Sequence, residues 1–176
     1  GEACVAVWDF GLQVMGFFKS LAVALAGDYE PYRILRFTKC YAGSPLRDGA
    51  NGVVLRELRG DDIRDSSDHL IGEQHWYAGD GARVFACLEG SRIVAICIYW
   101  SGQRYQSHDF WPLAPDEAML MQIVTVADRR GAGHARRLIA WSAKQMMGYG
   151  CSRLFARVSI TNTPSLRAFR AAGWTD

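Results

Sequence analysis

Several features that would point to a function class are scarce in this sequence. Its 176 residues carry 20 Lys and Arg against 18 Asp and Glu, a net charge of +2, whereas nucleic-acid-binding domains concentrate a basic surplus. The longest apolar stretch, residues 12–26, is interrupted by Gln13, Lys19 and Ser20 and falls short of the ~20 residues that span a bilayer. We therefore expect no nucleic-acid partner and no membrane span, and any bound anion must be held by a local cluster of charge.

Paired cysteines are also lacking. The five cysteines are odd in number, are widely separated and form no Cys-x-x-Cys pair, so no structural zinc or other metal site is predicted. Cys4, Cys87 and Cys97 lie in apolar runs, where a reduced thiol packs as a small hydrophobic group. Reduced thiols favour a reducing compartment, and we expect a cytoplasmic protein.

The composition is that of a folded domain, with 49% hydrophobic and 22% charged residues. Residues 1–50 are expected to form an N-terminal extension with an apolar helix at 12–26 and a short strand at 33–38. A stretch rich in Gly, Pro and Asn at 42–52 ends this extension. The remaining 51–176 are expected to form the main domain.

The main domain alternates strand and helix patterns. Strands are predicted at 53–58, 83–88, 92–100, 119–126 and 152–160, with the second and third joined as a hairpin through Glu89, Gly90 and Ser91. Helices are predicted at 61–70, from Ala135 to Gly148, and from an N-cap at Thr163 to Ala172. The strand at 119–126 is apolar enough to be buried on both faces, and 101–117 is expected to be a long loop with substrate contacts. This pattern predicts a mixed α/β fold with a central β-sheet flanked by helices.

The most informative stretch is the turn between the strand at 119–126 and the following helix. Gly131 and Gly133 let the backbone close around an oxyanion, and the N–H groups at the start of the helix point toward it. Arg129 and Arg130 add full positive charges. A phosphate ligand is therefore expected, although neither the P-loop motif nor the dinucleotide fingerprint is present.

This turn reads Arg130-Gly-Ala-Gly-His-Ala135, and a second block reads Asn162-Thr-Pro-Ser-Leu-Arg-Ala-Phe-Arg-Ala-Ala-Gly-Trp174. Both resemble conserved blocks of the GNAT superfamily of N-acetyltransferases, in the same order. The resemblance covers 53–174 and implies direct acyl transfer from acetyl-CoA, or another acyl-CoA, to an amine-bearing acceptor. It implies that the strand at 119–126 binds the pantetheine arm and that the turn binds the pyrophosphate. An asparagine is also implied to contact the pantetheine arm. The implied cofactor-binding residues are Val124, Thr125, Val126, Arg129, Arg130, Gly131, Ala132, Gly133, His134, Ala135 and Asn162.

The residues for acid and base catalysis are less well marked. Relatives often carry a tyrosine acid where this chain has Phe169, which cannot donate a proton. Ser165 is the chosen substitute, with Ser159, Tyr149 and Cys151 as alternatives. His108 and Glu117 are the chosen bases, and Glu73 and His75 are weaker candidates. Gln122 stands where some relatives have a carboxylate and can only orient water or substrate.

Two further questions stay open at this level. The family fold continues into a final strand after the Gly-aromatic pair, whereas this sequence stops at Asp176. Either the chain is truncated, or residues 33–38 fill that position, or a partner chain supplies the strand. The loss of a tyrosine at Phe169 also keeps a non-catalytic acyl-CoA-binding or regulatory module as the alternative function, and the N-terminal extension allows a homodimer or a larger assembly.

Overall fold

The computed structural model describes residues 31–38, 52–108 and 111–176. The apolar stretch at 12–26, almost all of the Gly- and Pro-rich stretch at 42–52, Cys4 and Cys40 lie outside these residues. The chain divides into two units, Gly1–Pro31 and Tyr32–Asp176, and the second unit contains the elements described below.

A six-stranded sheet forms the centre of this unit, in the order β1-β6-β5-β4-β3-β2. All neighbouring strands are antiparallel except β5 and β6, which are parallel. The predicted β3–β4 hairpin is confirmed. The strands are β1 (Tyr32–Thr38), β2 (Val53–Leu58), β3 (Ala82–Glu89), β4 (Arg92–Trp100), β5 (Glu117–Thr125) and β6 (Arg153–Ser159).

Five α-helices accompany the sheet in the described part of the chain. They are α1 (Gly60–Arg64), α2 (His69–Gly72), α3 (Gly102–Gln106), α4 (His134–Gly148) and α5 (Thr163–Ala171). Short 3-10 helices follow at Glu73–Tyr77 and Ala127–Arg129.

Two sequence predictions need correction here. The single helix expected at 61–70 is two short helices, because the Asp68 carboxylate accepts the Leu70 N–H at 3.1 Å and starts a new helix after the first has ended. The segment 101–117 is not a continuous loop, because it contains α3.

Helix α4 packs on the sheet through the apolar stripe that its sequence predicts. Leu138, Ile139, Ala143 and Met146 are all buried, and the helix contacts β3, β4 and β5. Ser142 is also fully buried, and its hydroxyl lies 3.0 Å from the Tyr99 hydroxyl. The hydrogen bond satisfies both polar groups inside the core.

Strands β5 and β6 pair over only part of their length. Glu117–Leu120 of β5 lie opposite Arg153–Ala156 of β6, and the register ends there. The first four residues of β5 are buried, whereas Met121 to Thr125 are half-buried. The strand is therefore not buried on both faces throughout, as its apolar sequence suggested, because its second half borders an opening in the sheet.

Strand β1 completes the sheet on the other side of β6. It pairs antiparallel with β6 over its whole length, and Arg36 and Thr175 exchange backbone hydrogen bonds of 2.7 and 2.9 Å. Of the three ways to fill the final sheet position, residues 33–38 are the one that the structure shows. The domain boundary at residue 50 stays a prediction, but a strand that precedes it belongs to the same sheet as 53–159.

Candidate functional site

A cavity of about 620 Å³ lies where β5 and β6 diverge. It is bounded by the second half of β5, by the turn that leads into α4, and by the first turns of α4 and α5. Its lining residues are Leu70, Ile123, Val124, Thr125, Arg129, Arg130, Gly131, Gly133, His134, Ala135, Arg136, Ile139, Asn162, Pro164, Ser165, Arg167 and Ala168.

The peptide groups of β5 alternate between the cavity and β4. The Val126 N–H donates to the Val94 carbonyl oxygen at 3.0 Å, so in an antiparallel ladder the peptide groups of Val124 also face β4. Those of Ile123 and Thr125 face the opening, and the Thr125 carbonyl accepts a 3.3 Å hydrogen bond from Arg130 Nε. Among the predicted strand residues, Thr125 therefore offers backbone groups to a ligand. Val126 is buried and does not line the cavity.

The turn after β5 ends in an open helix terminus. Gly131 and Gly133 have φ of 82° and 83°, a conformation that favours glycine. Gly133 is the N-cap of α4 and makes no side-chain cap. The first helical N–H bonded inside the helix is that of Arg137, which donates to the Gly133 carbonyl at 3.1 Å. The three preceding helical N–H groups, with the positive end of the helix dipole, are suited to an anion.

Four arginines line the cavity, whereas the described lining residues include no carboxylate. Arg129 is paired with carboxylates of the protein, since Nε donates to Glu89 at 2.7 Å and Nη1 donates to Asp128 at 3.0 Å. No carboxylate within the described residues pairs with Arg130, Arg136 or Arg167. These three arginines give the cavity its net positive charge.

Charged side chains behind the turn form a network. Arg92 donates to both carboxylate oxygens of Asp128, at 2.8 and 2.9 Å, and lies 3.5 Å from Asp68. The hydrogen bond from Arg92 lowers the pKa of Asp128, and the one from Arg129 lowers the pKa of Glu89. The network fixes the position of the turn relative to β3, β4 and the residue that caps α2.

The imidazole of His134 is part of this support. It is buried, with Nε2 3.2 Å from the Glu89 carboxylate and Nδ1 3.4 Å from the Cys87 sulfur. Burial raises the pKa of Cys87 to about 11, so this thiol is not a nucleophile near neutral pH. His134 borders the cavity, but its ring is already engaged within the protein.

Asn162 and Ser165 lie together on the opposite wall. The Asn162 Oδ1 accepts the Ser165 N–H at 3.2 Å, and Asn162 is the N-cap of α5. The predicted cap at Thr163 is therefore wrong by one residue, because the longer asparagine side chain reaches the N–H three residues ahead. Phe169, the position of the missing tyrosine, is buried with its ring edge-on to Trp174 at 5.1 Å.

Neither predicted base lines the cavity. Glu117 is buried at the paired start of β5, where it forms an ion pair with Arg153 and accepts the Ala114 N–H at 2.8 Å. His108 is exposed, and its Nδ1 donates to the Arg104 carbonyl at 2.8 Å beside the Trp100 ring. Both residues lie outside the lining of this cavity, and their role as bases stays a prediction.

The other acid and base candidates are also engaged outside the lining. The Tyr149 hydroxyl donates to Glu57 at 2.6 Å, a contact that raises the pKa of the tyrosine. The Ser159 hydroxyl lies 2.7 Å from the Thr161 hydroxyl, and Glu73 lies 3.4 Å from His69. Of the candidate acids and bases, Ser165 alone is among the described lining residues, and Ala132 of the turn is absent from that lining.

Sequence reasoning missed several lining residues. Ile123 follows from the alternation of peptide groups once the partner strand is known, and Arg167 lies one helical turn beyond Pro164. Leu70 of α2 has no local sequence signal, because it reaches the cavity only through the packing of α2 beside β4.

Comparison with known proteins gives one family and several similar folds. The model of the acetyltransferase (GNAT) family matches residues 53–174. The ribosomal-protein-S18-alanine N-acetyltransferase from Escherichia coli is 15% identical, with a TM-score of 0.54 over 70% of this chain and 78% of that one. AAC(6')-Iy in complex with the bisubstrate analog CoA-S-monomethyl-acetylneamine is 17% identical, with a TM-score of 0.53 over 70% and 91%.

An aminoglycoside acetyltransferase, meta-AAC0020, from an uncultured soil metagenomic sample in complex with sisomicin is 14% identical, with a TM-score of 0.51 over 70% of this chain and 88% of that one. These likenesses show a shared fold. No curated protein matches the sequence. In the described part of the chain, no helix is long and apolar enough to cross a membrane, and no group of His, Cys, Asp or Glu is arranged to hold a metal ion.

Proposed function

The chain belongs to the acetyltransferase (GNAT) family, and from this premise we propose that it transfers an acetyl group from acetyl-CoA directly to an amine acceptor. The observation that carries the proposal is the cavity, which joins a cationic helix terminus to an open strand edge. A diphosphate suits the first and an amide-bearing arm suits the second. The bound CoA of the AAC(6')-Iy structures supports this choice of co-substrate.

In this proposal the turn binds the pyrophosphate. The N–H groups of His134, Ala135 and Arg136 point to it, and Arg130 adds an exposed guanidinium. The pantetheine arm pairs with the Ile123 carbonyl and with the outward peptide groups of Thr125. Asn162 lies across the gap, and with Oδ1 used as the helix cap its Nδ2 is the group that donates to the arm.

Once the ammonium form of the acceptor has released a proton to solvent, the chemistry requires one nucleophilic attack and one proton transfer. The amine nitrogen attacks the thioester carbonyl carbon, and the oxygen becomes an anion that a backbone N–H at Ile123 stabilises. The C–S bond breaks as the carbonyl reforms, and the thiolate accepts the proton that the amine releases. The products are an amide and free CoA.

The departing thiolate does not need a strong acid. A thiol has an ordinary pKa near 8.5, so its thiolate is a tolerable leaving group without a tyrosine at Phe169. Ser165 carries a hydroxyl and lines the cavity on the wall formed by α5, and we propose it as the group that hydrogen-bonds the sulfur. The buried, reduced Cys87 and Cys97 support a reducing, cytoplasmic location.

The burial of Phe169 against Trp174 favours one alternative, a non-catalytic acyl-CoA-binding module. A binding experiment and a turnover experiment together separate the two functions. The first compares thermal unfolding with and without acetyl-CoA, with ATP and NAD as controls, because a ligand at ~100 times its Kd adds ~2.7 kcal/mol of stability.

We expect a stabilising shift that is specific to acetyl-CoA, followed by amide formation with at least one amine of a panel that includes peptides with free N-termini, polyamines, amino acids and aminoglycosides. A shift without turnover on any amine would favour the binding module. The absence of a shift would contradict both functions.

A further inference from the structure

A chain of side-chain amides ends on the open edge of β5. The Ile123 N–H donates to Gln122 Oε1 at 3.1 Å, Gln122 Nε2 donates to Gln74 Oε1 at 2.9 Å, and Gln74 Nε2 donates to the Leu70 carbonyl at 3.1 Å. All three bonds run in the same direction, from the central strand to α2. Each of these four residues is half-buried.

The first bond of this chain is unusual in its position. Ile123 is where the sheet has opened, and its N–H faces the cavity instead of β4. A half-buried N–H without an acceptor costs free energy, and the neighbouring strand that would have supplied one has diverged. Gln122 supplies the acceptor by bending its own side chain toward the next residue of the strand.

We infer that Gln122 is a positioning residue whose carboxamide oxygen occupies the place that the thioester carbonyl oxygen takes when the substrate binds. The inference rests on the proposed function, in which the Ile123 N–H is the donor to that carbonyl. One N–H donates one strong hydrogen bond in one direction, so the two oxygens exclude each other. Binding of the acyl group then requires Gln122 Oε1 to leave.

The exchange sets how strongly the acyl carbonyl is recognised. The thioester carbonyl gains a hydrogen bond from Ile123, but the protein loses the one from Ile123 to Gln122, so the net contribution of the carbonyl to affinity is small. A ligand can shift the position of Gln122 only by the difference in its affinity for the two arrangements. Without a side-chain acceptor at position 122, the Ile123 N–H has no bond to the protein to give up, and the carbonyl gains the full bond.

Gln74 makes this arrangement stable. Gln74 lies in the 3-10 helix Glu73–Tyr77, and its Oε1 accepts the hydrogen bond from Gln122 Nε2. Its own Nε2 donates to the Leu70 carbonyl of α2, which fixes the position of the Gln74 side chain. Leu70 also lines the cavity. Loss of the Gln74 acceptor should therefore release Gln122 in part, with a smaller effect of the same sign.

The test compares two ligands that differ only at the reacting oxygen. Ethyl-CoA is a thioether that has a methylene group where acetyl-CoA has the carbonyl. The ratio of its Kd to that of acetyl-CoA, measured by titration calorimetry, isolates recognition of the oxygen. The variants are Gln122→Met and Gln74→Met. Gln145→Met, at a half-buried residue in the last turn of α4, is the control for the same chemical change.

We expect the Kd ratio to rise by about two- to tenfold in Gln122→Met, the range of one neutral hydrogen bond. It should rise less in Gln74→Met and stay unchanged in Gln145→Met, while the Kd of ethyl-CoA stays near that of the unmodified protein. Thermal unfolding of each variant without ligand reports folding, and Gln74→Met tests the inference if Gln122→Met does not fold.

An unchanged Kd ratio in a folded Gln122→Met protein would overturn the inference, as would equal changes in the affinity for both ligands, which is the result expected if Gln122 only supports the fold. Failure of the unmodified protein to bind either ligand would overturn the proposed function, and the inference with it. The two failures are therefore distinguishable.

Discussion

The carboxylate of Glu89 accepts a 2.7 Å hydrogen bond from Arg129 Nε. This contact makes two adjacent arginines of the turn unequal. Arg129 is held by Glu89 and Asp128, whereas Arg130 is exposed and, among the residues that the structure describes, its Nε hydrogen-bonds only the Thr125 carbonyl, at 3.3 Å. The charge of Arg129 serves the turn, and that of Arg130 is available to a ligand.

The first prediction separates these two arginines. Arg130→Gln should weaken acetyl-CoA binding by about tenfold to a hundredfold, the range of a hydrogen bond to a charged group, with little change in the melting temperature. Arg129→Gln should lower the melting temperature and weaken binding less. Titration calorimetry and thermal unfolding measure both effects.

Salt provides the internal control for this prediction. Screening acts on exposed charges, so a rise in salt should weaken binding to the unmodified protein more than binding to Arg130→Gln. Equal losses of acetyl-CoA affinity in Arg129→Gln and Arg130→Gln would contradict the different roles of the two arginines.

The second prediction concerns the response of the fold to acid. The hydrogen bond from Arg129 holds the pKa of Glu89 below its ordinary value of 4.5. Since the pKa is lower in the folded chain than in the unfolded one, Glu89 stabilises the fold at neutral pH, and this contribution is lost as the pH falls below about 4.5. Glu89→Gln should therefore reduce stability at pH 7 and have a smaller effect near pH 3.

Denaturant unfolding of both proteins from pH 3 to pH 7 measures this difference. Glu73→Gln is a matched control, because Glu73 is exposed and its nearest partner in the described residues is His69 at 3.4 Å. A loss of stability in Glu89→Gln that is the same at every pH would show that Glu89 does not stabilise the fold through its charge.

Local signals in the sequence predict much of this fold. The strand periodicity at 53–58 and 83–100, the amphipathic stripe of α4 and the glycines of the turn each depend on neighbouring residues, and the structure confirms those elements. The likeness of two short blocks to one family was enough to predict the fold class, and the family match at 53–174 confirms it.

The parts that could not be predicted depend on residues that are far apart in the sequence. No sequence pattern near Glu117 predicts its ion pair with Arg153, which forms because the starts of β5 and β6 lie side by side. The peptide direction at Ile123 likewise depends on the register with β4, and the bond between Gln122 and Gln74 joins residues 48 positions apart. Such contacts are set by the assembled sheet.

The third prediction tests the backbone of the turn. Alanine at Gly133 has no crowded neighbour, because nothing lies within 4 Å of an added Cβ, but a φ of 83° is unfavourable for it by about 1–2 kcal/mol. Gly133→Ala should therefore lower stability by that amount and weaken acetyl-CoA binding by at least about tenfold, because the helix terminus turns away from the ligand.

Gly148→Ala is the matched control for this change. Gly148 also has open space around an added Cβ, but its φ is ordinary and it lies at the other end of the same helix. It should bind acetyl-CoA normally and be slightly more stable, since alanine is the better helix former. Normal binding by Gly133→Ala would contradict the role of the turn.

The last prediction concerns the position where relatives often have a tyrosine. Phe169 is 1% exposed, and its ring meets Trp174 edge-on, so the hydroxyl of Phe169→Tyr enters packed apolar surroundings. We expect a loss of about 1–3 kcal/mol of stability and no increase in kcat with an amine that the unmodified protein acetylates. Phe85→Tyr, at a fully buried ring between Tyr99 and Trp141, measures the cost of a buried hydroxyl away from the cavity. If Phe169→Tyr instead raised kcat tenfold while Phe85→Tyr did not, the new hydroxyl would be reaching the departing sulfur. The unmodified enzyme would then lack a tyrosine acid that its active site can accommodate at this position.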